Sequence, residues 1–264
     1  MSVLFLGNCQ VNAMRGIARE MFPKMQVTFR TITPYWGDFD EDATRAELAQ
    51  ADIVIAQSIE NPNAKFNFED VRASTKADLV FVPYVYIDGL SSLEVVASKG
   101  RTVIKGADIL LRDQEGRRAL HIVQDLCEGK IDMMNAERIN ASLAKLAQKE
   151  RNNANITISD YIAETILALP TLYGINHPSQ HVVFELFRRL CSHIGWDYDP
   201  DHKNDPVVWG RRALPASQRA FTPMDAARLG TRYTCDPHWY GQLYKMVNLA
   251  MKANEKHLQA TAQV

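Results

Sequence analysis

Four short apolar runs, separated by segments of helical character, do most to limit what this chain can fold into. The first is Val3-Leu4-Phe5-Leu6, broken by Gly7-Asn8. Residues 25–30 alternate and read as a second strand; residues 52–57 and 77–86 read as a third and a fourth. The third is almost continuously apolar, as strands are when both faces of a parallel sheet are covered. Strands alternating with helices predict βαβ units. The expected class is therefore α/β, with a parallel-sheet, three-layer N-terminal half over residues 1–106 and a mainly helical C-terminal half over residues 107–264. No linker, tandem repeat or low-complexity tract divides them, so one domain is expected.

In a sheet of this kind, ligands bind outside the carboxyl ends of the strands. Gly7-Asn8-Cys9-Gln10, Gln57-Ser58 and residues 84–89 lie at those ends. Cys9 falls where the first strand turns into a helix carrying Met14, Ile17, Ala18 and Met21 at helical spacing. Backbone amides and the positive end of the helix dipole gather there and favour an anion. A thiol at such a place is expected to have a lowered pKa and more thiolate. Asn8 and Gln10 would add side-chain amide donors for an oxyanion. The plain alternative is that Cys9 is a small buried hydrophobe.

Charge narrows the function. Thirty Lys and Arg stand against 31 Asp and Glu, so no global field draws the chain to nucleic acid or an anionic membrane. Cys9, Cys127, Cys191 and Cys235 show no zinc-like spacing and are too sparse for a disulfide scaffold. No metal site is expected. No apolar stretch reaches membrane-spanning length and no basic leader opens the chain. A reduced, cytoplasmic setting follows.

Helical stripes continue at residues 109–126 and 135–149, and Thr157-Ile158-Ser159-Asp160 has the look of a capping box before another helix. Asn176-His177-Pro178-Ser179 precedes a strongly amphipathic segment. Pro178 suits the first helical position, which puts His177 in the cap region. His238, in Cys235-Asp236-Pro237-His238-Trp239, is a second candidate histidine. Residues 197–223 form a long polar, Pro-rich segment with Arg211, Arg212 and Arg219. A final helix is expected over residues 237–256.

Gly7-Asn8-Cys9-Gln10 after the first strand, Gln57 closing a later one, Glu150-Arg151, Ile158-Ser159-Asp160 and Asn176-His177-Pro178-Ser179 together resemble the WcbI-type polysaccharide biosynthesis family. The resemblance runs from about Val3 to Trp196. It implies an α/β fold, coenzyme A or acetyl-coenzyme A as cofactor, and acetylation of a sugar hydroxyl during capsule or surface-polysaccharide assembly. A carbohydrate or nucleotide sugar would be the acceptor. The resemblance implies Cys9 and His177 as catalytic residues, with Asn8 and Gln10 beside them. Gly7, Arg15, Gln57 and Asn176 are the cofactor contacts expected around that centre, and Arg101, Lys105 and Arg151 are further cations for phosphate. His177 would be the general base. A carboxylate orienting it is expected by triad logic, with Asp88 and Asp160 as candidates.

Two other classes compete. Gly7-Asn8-Cys9 occupies the place where an SGNH-type esterase carries Gly-Asp-Ser, which suggests an esterase or carbohydrate deacetylase. Asp199-Pro200-Asp201-His202 gives that reading an Asp-x-x-His match. A non-enzymatic binding module would instead use the aromatic pairs Tyr35-Trp36 and Trp239-Tyr240 as contacts.

Overall fold

The computed structural model describes residues 1–32, 40–88, 93–98, 101–105, 116–131, 136–174, 176–198, 219–220, 223, 226–227, 230, 232 and 239–261. Tyr35-Trp36, His202, Arg211, Arg212 and His238 lie outside them. The chain runs β1 (Ser2–Gly7), α1 (Cys9–Met21), β2 (Gln26–Thr31), α2 (Glu41–Gln50), β3 (Ile53–Gln57), α3 (Phe68–Ser74) and β4 (Asp78–Val82). It continues with β5 (Leu93–Ser98), β6 (Arg101–Lys105), α4 (Ala119–Cys127), α5 (Ala136–Asn153) and α6 (Ser159–Thr165). The last elements are β7 (Leu172–Gly174), β8 (His177–Pro178), α7 (Gln180–Ile194), β9 (Arg219–Ala220) and α8 (Trp239–Thr261).

Two compact units share the chain through interleaved segments. One gathers Met1–Tyr86, Leu143–Glu164 and Asn176–Pro215; the other holds the remainder.

In the first unit, four parallel strands lie in the order β2-β1-β3-β4. The fold is α/β. Leu4, Leu6, Val54, Ala56 and Phe81 pack on one face with Leu48 of α2 and Val71 of α3. Side chains alternate along a strand, so Val3 and Phe5 point to the other face. Both are buried, as are Val11, Met14, Ile17 and Ala18 of α1. Asn8, Asp40 and Asn67 cap α1, α2 and α3 through side-chain oxygens. The chain leaves β1 toward β2 on one side and returns to β3 on the other. The strand order therefore reverses between β1 and β3, where a crevice opens at the carboxyl ends.

In the second unit, β5 pairs antiparallel with β6 and with β9. Ala119, Ile122, Val123 and Leu126 of α4 pack with Leu243, Met246, Val247 and Ala250 of α8. β5 and β6 stand outside the four expected strands. The signal was present: LEVVAS and RTVIK are β-branched runs separated by Lys99-Gly100. No helix among the described residues is long and apolar enough to cross a membrane.

Candidate active site

The site is built at the β1/β3 crevice. Asn8 leaves β1 with extended backbone, and its Oδ1 accepts the Gln10 backbone N–H at 2.8 Å. The Asn8 backbone N–H donates to Gln57 Oε1 at 3.3 Å. The two carboxyl-terminal turns that flank the switch point are thus joined. Gln57 is 3% exposed although it ends an apolar strand.

Gly7 makes this closeness possible. A Cβ there would lie 2.5 Å from Val11 Cγ2 and 3.2 Å from Gln57 Cβ. Val11 is buried on α1 and cannot swing away. Gly7→Ala should destabilise by about 1–3 kcal/mol through overpacking. Gly16→Ala, in the same helix with nothing within 4 Å of the new Cβ, should stabilise by about 0.5–1 kcal/mol. Thermal unfolding of the two variants checks the contrast: a drop of several degrees in Tm against a small rise.

Gln10 is 2% exposed and fully engaged. Its Nε2 donates to Val85 O at 2.9 Å and to Asn176 O at 2.8 Å. Its Oε1 accepts the Val85 backbone N–H at 3.1 Å and Gln57 Nε2 at 3.5 Å. Both amide hydrogens expected to face an oxyanion are therefore committed to backbone carbonyls. Gln10 instead ties the segment after β4 and the Asn176-His177 peptide to the first turn of α1.

The Cys9 thiol is buried, and desolvation pushes its pKa up. The backbone amides of Gln10 and Cys9 act in the opposite direction and are outweighed. This reverses the expected lowering: the helix terminus is present, but burial of the charged form costs more than two amides return.

His177 is half-buried in β8, two residues before the true cap of α7, Ser179; Pro178 is not the first helical residue. Its Nδ1 lies 2.7 Å from Asn176 Oδ1. Asn176 Nδ2 donates in turn to the Tyr84 hydroxyl at 3.2 Å. Burial lowers the His177 pKa, so the ring is neutral near pH 7. The partner of the ring is thus an amide. The two carboxylates considered for that place are elsewhere: Asp160 pairs with Arg189 at 2.7 Å and Asp88 with Arg138 at 2.6 Å. Among the described residues no hydrogen bond joins the Cys9 thiol to the His177 ring.

A cavity of about 490 Å³ adjoins this arrangement, lined by Asn8, Gln57, Ser58, Asn61 and Tyr84 together with Ile32, Ile59, Pro83 and Ala154. Its charged members are Glu60, Lys149 and Glu150. Lys149 pairs with Glu60 at 2.8 Å. Glu150, 1% exposed, accepts the Ile158 and Ser159 backbone N–H groups at 2.8 and 3.1 Å and the Ser159 hydroxyl. The α6 start expected to be capped within Thr157–Asp160 is therefore capped from α5. Burial raises the Glu150 pKa against these three donors. A carboxyl whose folded pKa is raised contributes stability that is full below about pH 4.5 and is lost as pH rises through the folded value. Glu150→Gln keeps an acceptor for both amides and should flatten this pH dependence. Glu150→Ala leaves buried donors unpaired and should cost about 2–5 kcal/mol. Urea unfolding at pH 4.5 and 7.5 reads both effects.

Arg15 does not line the cavity. Its Nε and Nη2 donate to Asn12 Oδ1 at 3.1 and 2.8 Å, and its guanidinium carbon lies 5.9 Å from the Phe29 ring centre. Burial and the neighbouring charge of Arg19 lower its pKa. Arg151 is exposed.

The family model for the polysaccharide biosynthesis enzyme WcbI matches residues 2–198. This chain belongs to the WcbI polysaccharide biosynthesis enzyme family. The match spans the whole crevice and both of its defining tetrapeptides, Gly7–Gln10 and Asn176–Ser179. No curated protein sequence matches the chain significantly. A solved structure of WcbI, called a novel polysaccharide biosynthesis enzyme, superposes with a TM-score of 0.60 at 14% identity. The superposition covers 93% of this chain and 98% of the other. That structure is described as the native protein without a disulfide bond between coenzyme A and one of its cysteines. At this identity the likeness establishes a shared fold.

Proposed function

We propose that this WcbI-family protein is a coenzyme A-dependent O-acyltransferase, using acetyl-coenzyme A to modify a sugar hydroxyl in capsular or surface polysaccharide biosynthesis. The observation that carries the reading is the Gln10 clamp, which ties the Asn176-His177 peptide to the helix start that bears Cys9. The solved WcbI structure, described in terms of coenzyme A and a cysteine, supports the same cofactor.

The residues present fit that cofactor by their chemistry. Its pantetheine arm is uncharged, with two amides and a branched aliphatic segment. Asn8, Gln57, Ser58 and Asn61 offer polar partners, and Ile32, Ile59 and Pro83 offer aliphatic contact. Cys9 would meet its thiol end. Arg15 lies outside the cavity lining, so it would meet a phosphate only where the cofactor's charged end extends beyond the cavity over α1; it is the cation proposed to hold one there. Bound acetyl-coenzyme A would supply an activated acyl group on a good leaving sulfur.

His177 holds its proton on Nδ1 and presents Nε2 as base. Nε2 takes the proton of the sugar hydroxyl and returns it to the departing sulfur. The Asn8 side-chain Nδ2–H would stabilise negative charge on the carbonyl oxygen, since the Gln10 backbone N–H is taken up by Asn8 Oδ1. Cys9, neutral because it is buried, works without becoming acylated. Its thiol would lie beside the leaving sulfur of the bound cofactor.

Release of free thiol from acetyl-coenzyme A in the presence of a carbohydrate acceptor series, read for wild type and Cys9→Ala, tests this. The reading predicts acceptor-dependent release, with Cys9→Ala within about tenfold of wild type. Turnover of acetyl esters that needs no coenzyme A would overturn it in favour of a hydrolase.

A further inference from the structure

The sequence leads one to look for a carboxylate behind His177, and the structure puts an amide there. Asn176 uses both ends of its side chain: Oδ1 faces His177 Nδ1 at 2.7 Å and Nδ2 donates to the Tyr84 hydroxyl at 3.2 Å. Its backbone oxygen accepts from Gln10 Nε2 at 2.8 Å, so the residue is held at three points. Tyr84 is itself half-buried in the cavity wall after β4.

We propose that Tyr84 and Asn176 are positioning residues for His177. The phenol oxygen fixes which way the Asn176 amide faces, and Asn176 Oδ1 then fixes the ring with its proton on Nδ1 and Nε2 free. The proposal rests on His177 being the base of the reading above.

The physical argument concerns orientation and charge. An amide side chain can turn over, and if it did, Nδ2 would face the ring and select the opposite tautomer, with Nε2 protonated and useless as a base. In the observed orientation Nδ2 has an acceptor in Tyr84. Without that oxygen the amide is held by the ring alone and both orientations become accessible. A neutral relay also gives an imidazolium no charge stabilisation, so the base operates below the ordinary histidine range, where burial already places it. The titratable groups grouped at this end are Cys9 on α1, and Tyr84 and Tyr86 after β4. Burial raises the Tyr84 pKa, and charge on Cys9 or Tyr86 would raise it further. Burial raises both Cys9 and Tyr84 above their ordinary values, so both are neutral near pH 7 and the relay carries no charge.

Long-range proton–nitrogen spectra of the ¹⁵N-labelled full chain test this, with His177 assigned from its loss in His177→Gln. Wild type should show a neutral ring protonated on Nδ1. Tyr84→Phe should shift the signals toward the Nε2–H tautomer and lower kcat about tenfold, with a smaller change in the KM for acetyl-coenzyme A because the ring that lines the cavity is kept. Asn176→Asp, which can only accept, should keep the Nδ1–H tautomer and move the His177 titration midpoint up by about one unit or more. A wild-type ring protonated on Nε2, or a Tyr84→Phe spectrum identical to wild type, would overturn the relay. The spectra do not depend on turnover. An intact relay in a protein that transfers no acyl group would sink the function and leave the relay standing.

Discussion

Replacing Gln10 by alanine is expected to lower stability by about 3–5 kcal/mol. The side chain makes no contact with a ligand in this account. It stands in for a strand, pairing with both the N–H and the C=O of Val85 and adding a bond to Asn176 O. Alanine leaves those three backbone groups without the amide that satisfies them, in a place 2% exposed at Gln10 itself. Each buried unpaired group costs roughly 1–3 kcal/mol. Gln10→Glu should fare little better, because a carboxylate has no hydrogen to offer two carbonyl oxygens. The loss should exceed that of Gly7→Ala. Urea unfolding monitored by far-ultraviolet circular dichroism measures it, and an unfolding free energy in water within about 1 kcal/mol of wild type would contradict the clamp.

Removing the base has the largest expected effect on activity. His177→Ala should reduce acyl transfer about 10²–10⁴-fold with the fold retained, since a positioned general base contributes on that order. The pH profile carries the sign. Burial depresses the His177 pKa below its usual 6.5, so the neutral, active form is already dominant at pH 7. Activity should fall only as pH drops through the depressed value, and the acid limb should lie below pH 6.5. The same shift acts on stability. A histidine buried neutral contributes stability that is present above the unfolded pKa and is lost as pH falls through the folded one. An acid limb at or above pH 7 in wild type would mean that another group is the base.

Much of the first unit was legible from sequence, because its strands are short apolar runs ended by polar residues and its helices begin at capping residues. The expected strands at 3–6, 25–30 and 52–57 agree with β1, β2 and β3 to within a residue or two, and the α2 boundaries with the helical composition of residues 41–50. The parallel order follows from that alternation. What sequence did not reveal is how polar side chains divide their hydrogen bonds. Gln10 looked like an oxyanion donor because amides near a helix start often are. Only the three-dimensional path of Val85 and Asn176 shows that its hydrogens are engaged. Cys9 was read from the helix terminus alone, whereas burial decides its pKa. The triad rule pointed to Asp88 and Asp160, but both face arginines, and the residue that holds His177 is its own neighbour. Glu150 caps α6 from another helix, an arrangement with no local sequence signature.

The central claim is that the crevice between β1 and β3 binds coenzyme A, and calorimetric titration of the intact protein tests it most directly. Wild type titrated with coenzyme A and with acetyl-coenzyme A should bind both saturably, in the micromolar range typical of substrates, roughly −8 kcal/mol. Arg15→Ala should weaken both about equally. Heat of dilution alone for both ligands, at millimolar concentration, would contradict the account and turn the same base and amides toward ester hydrolysis.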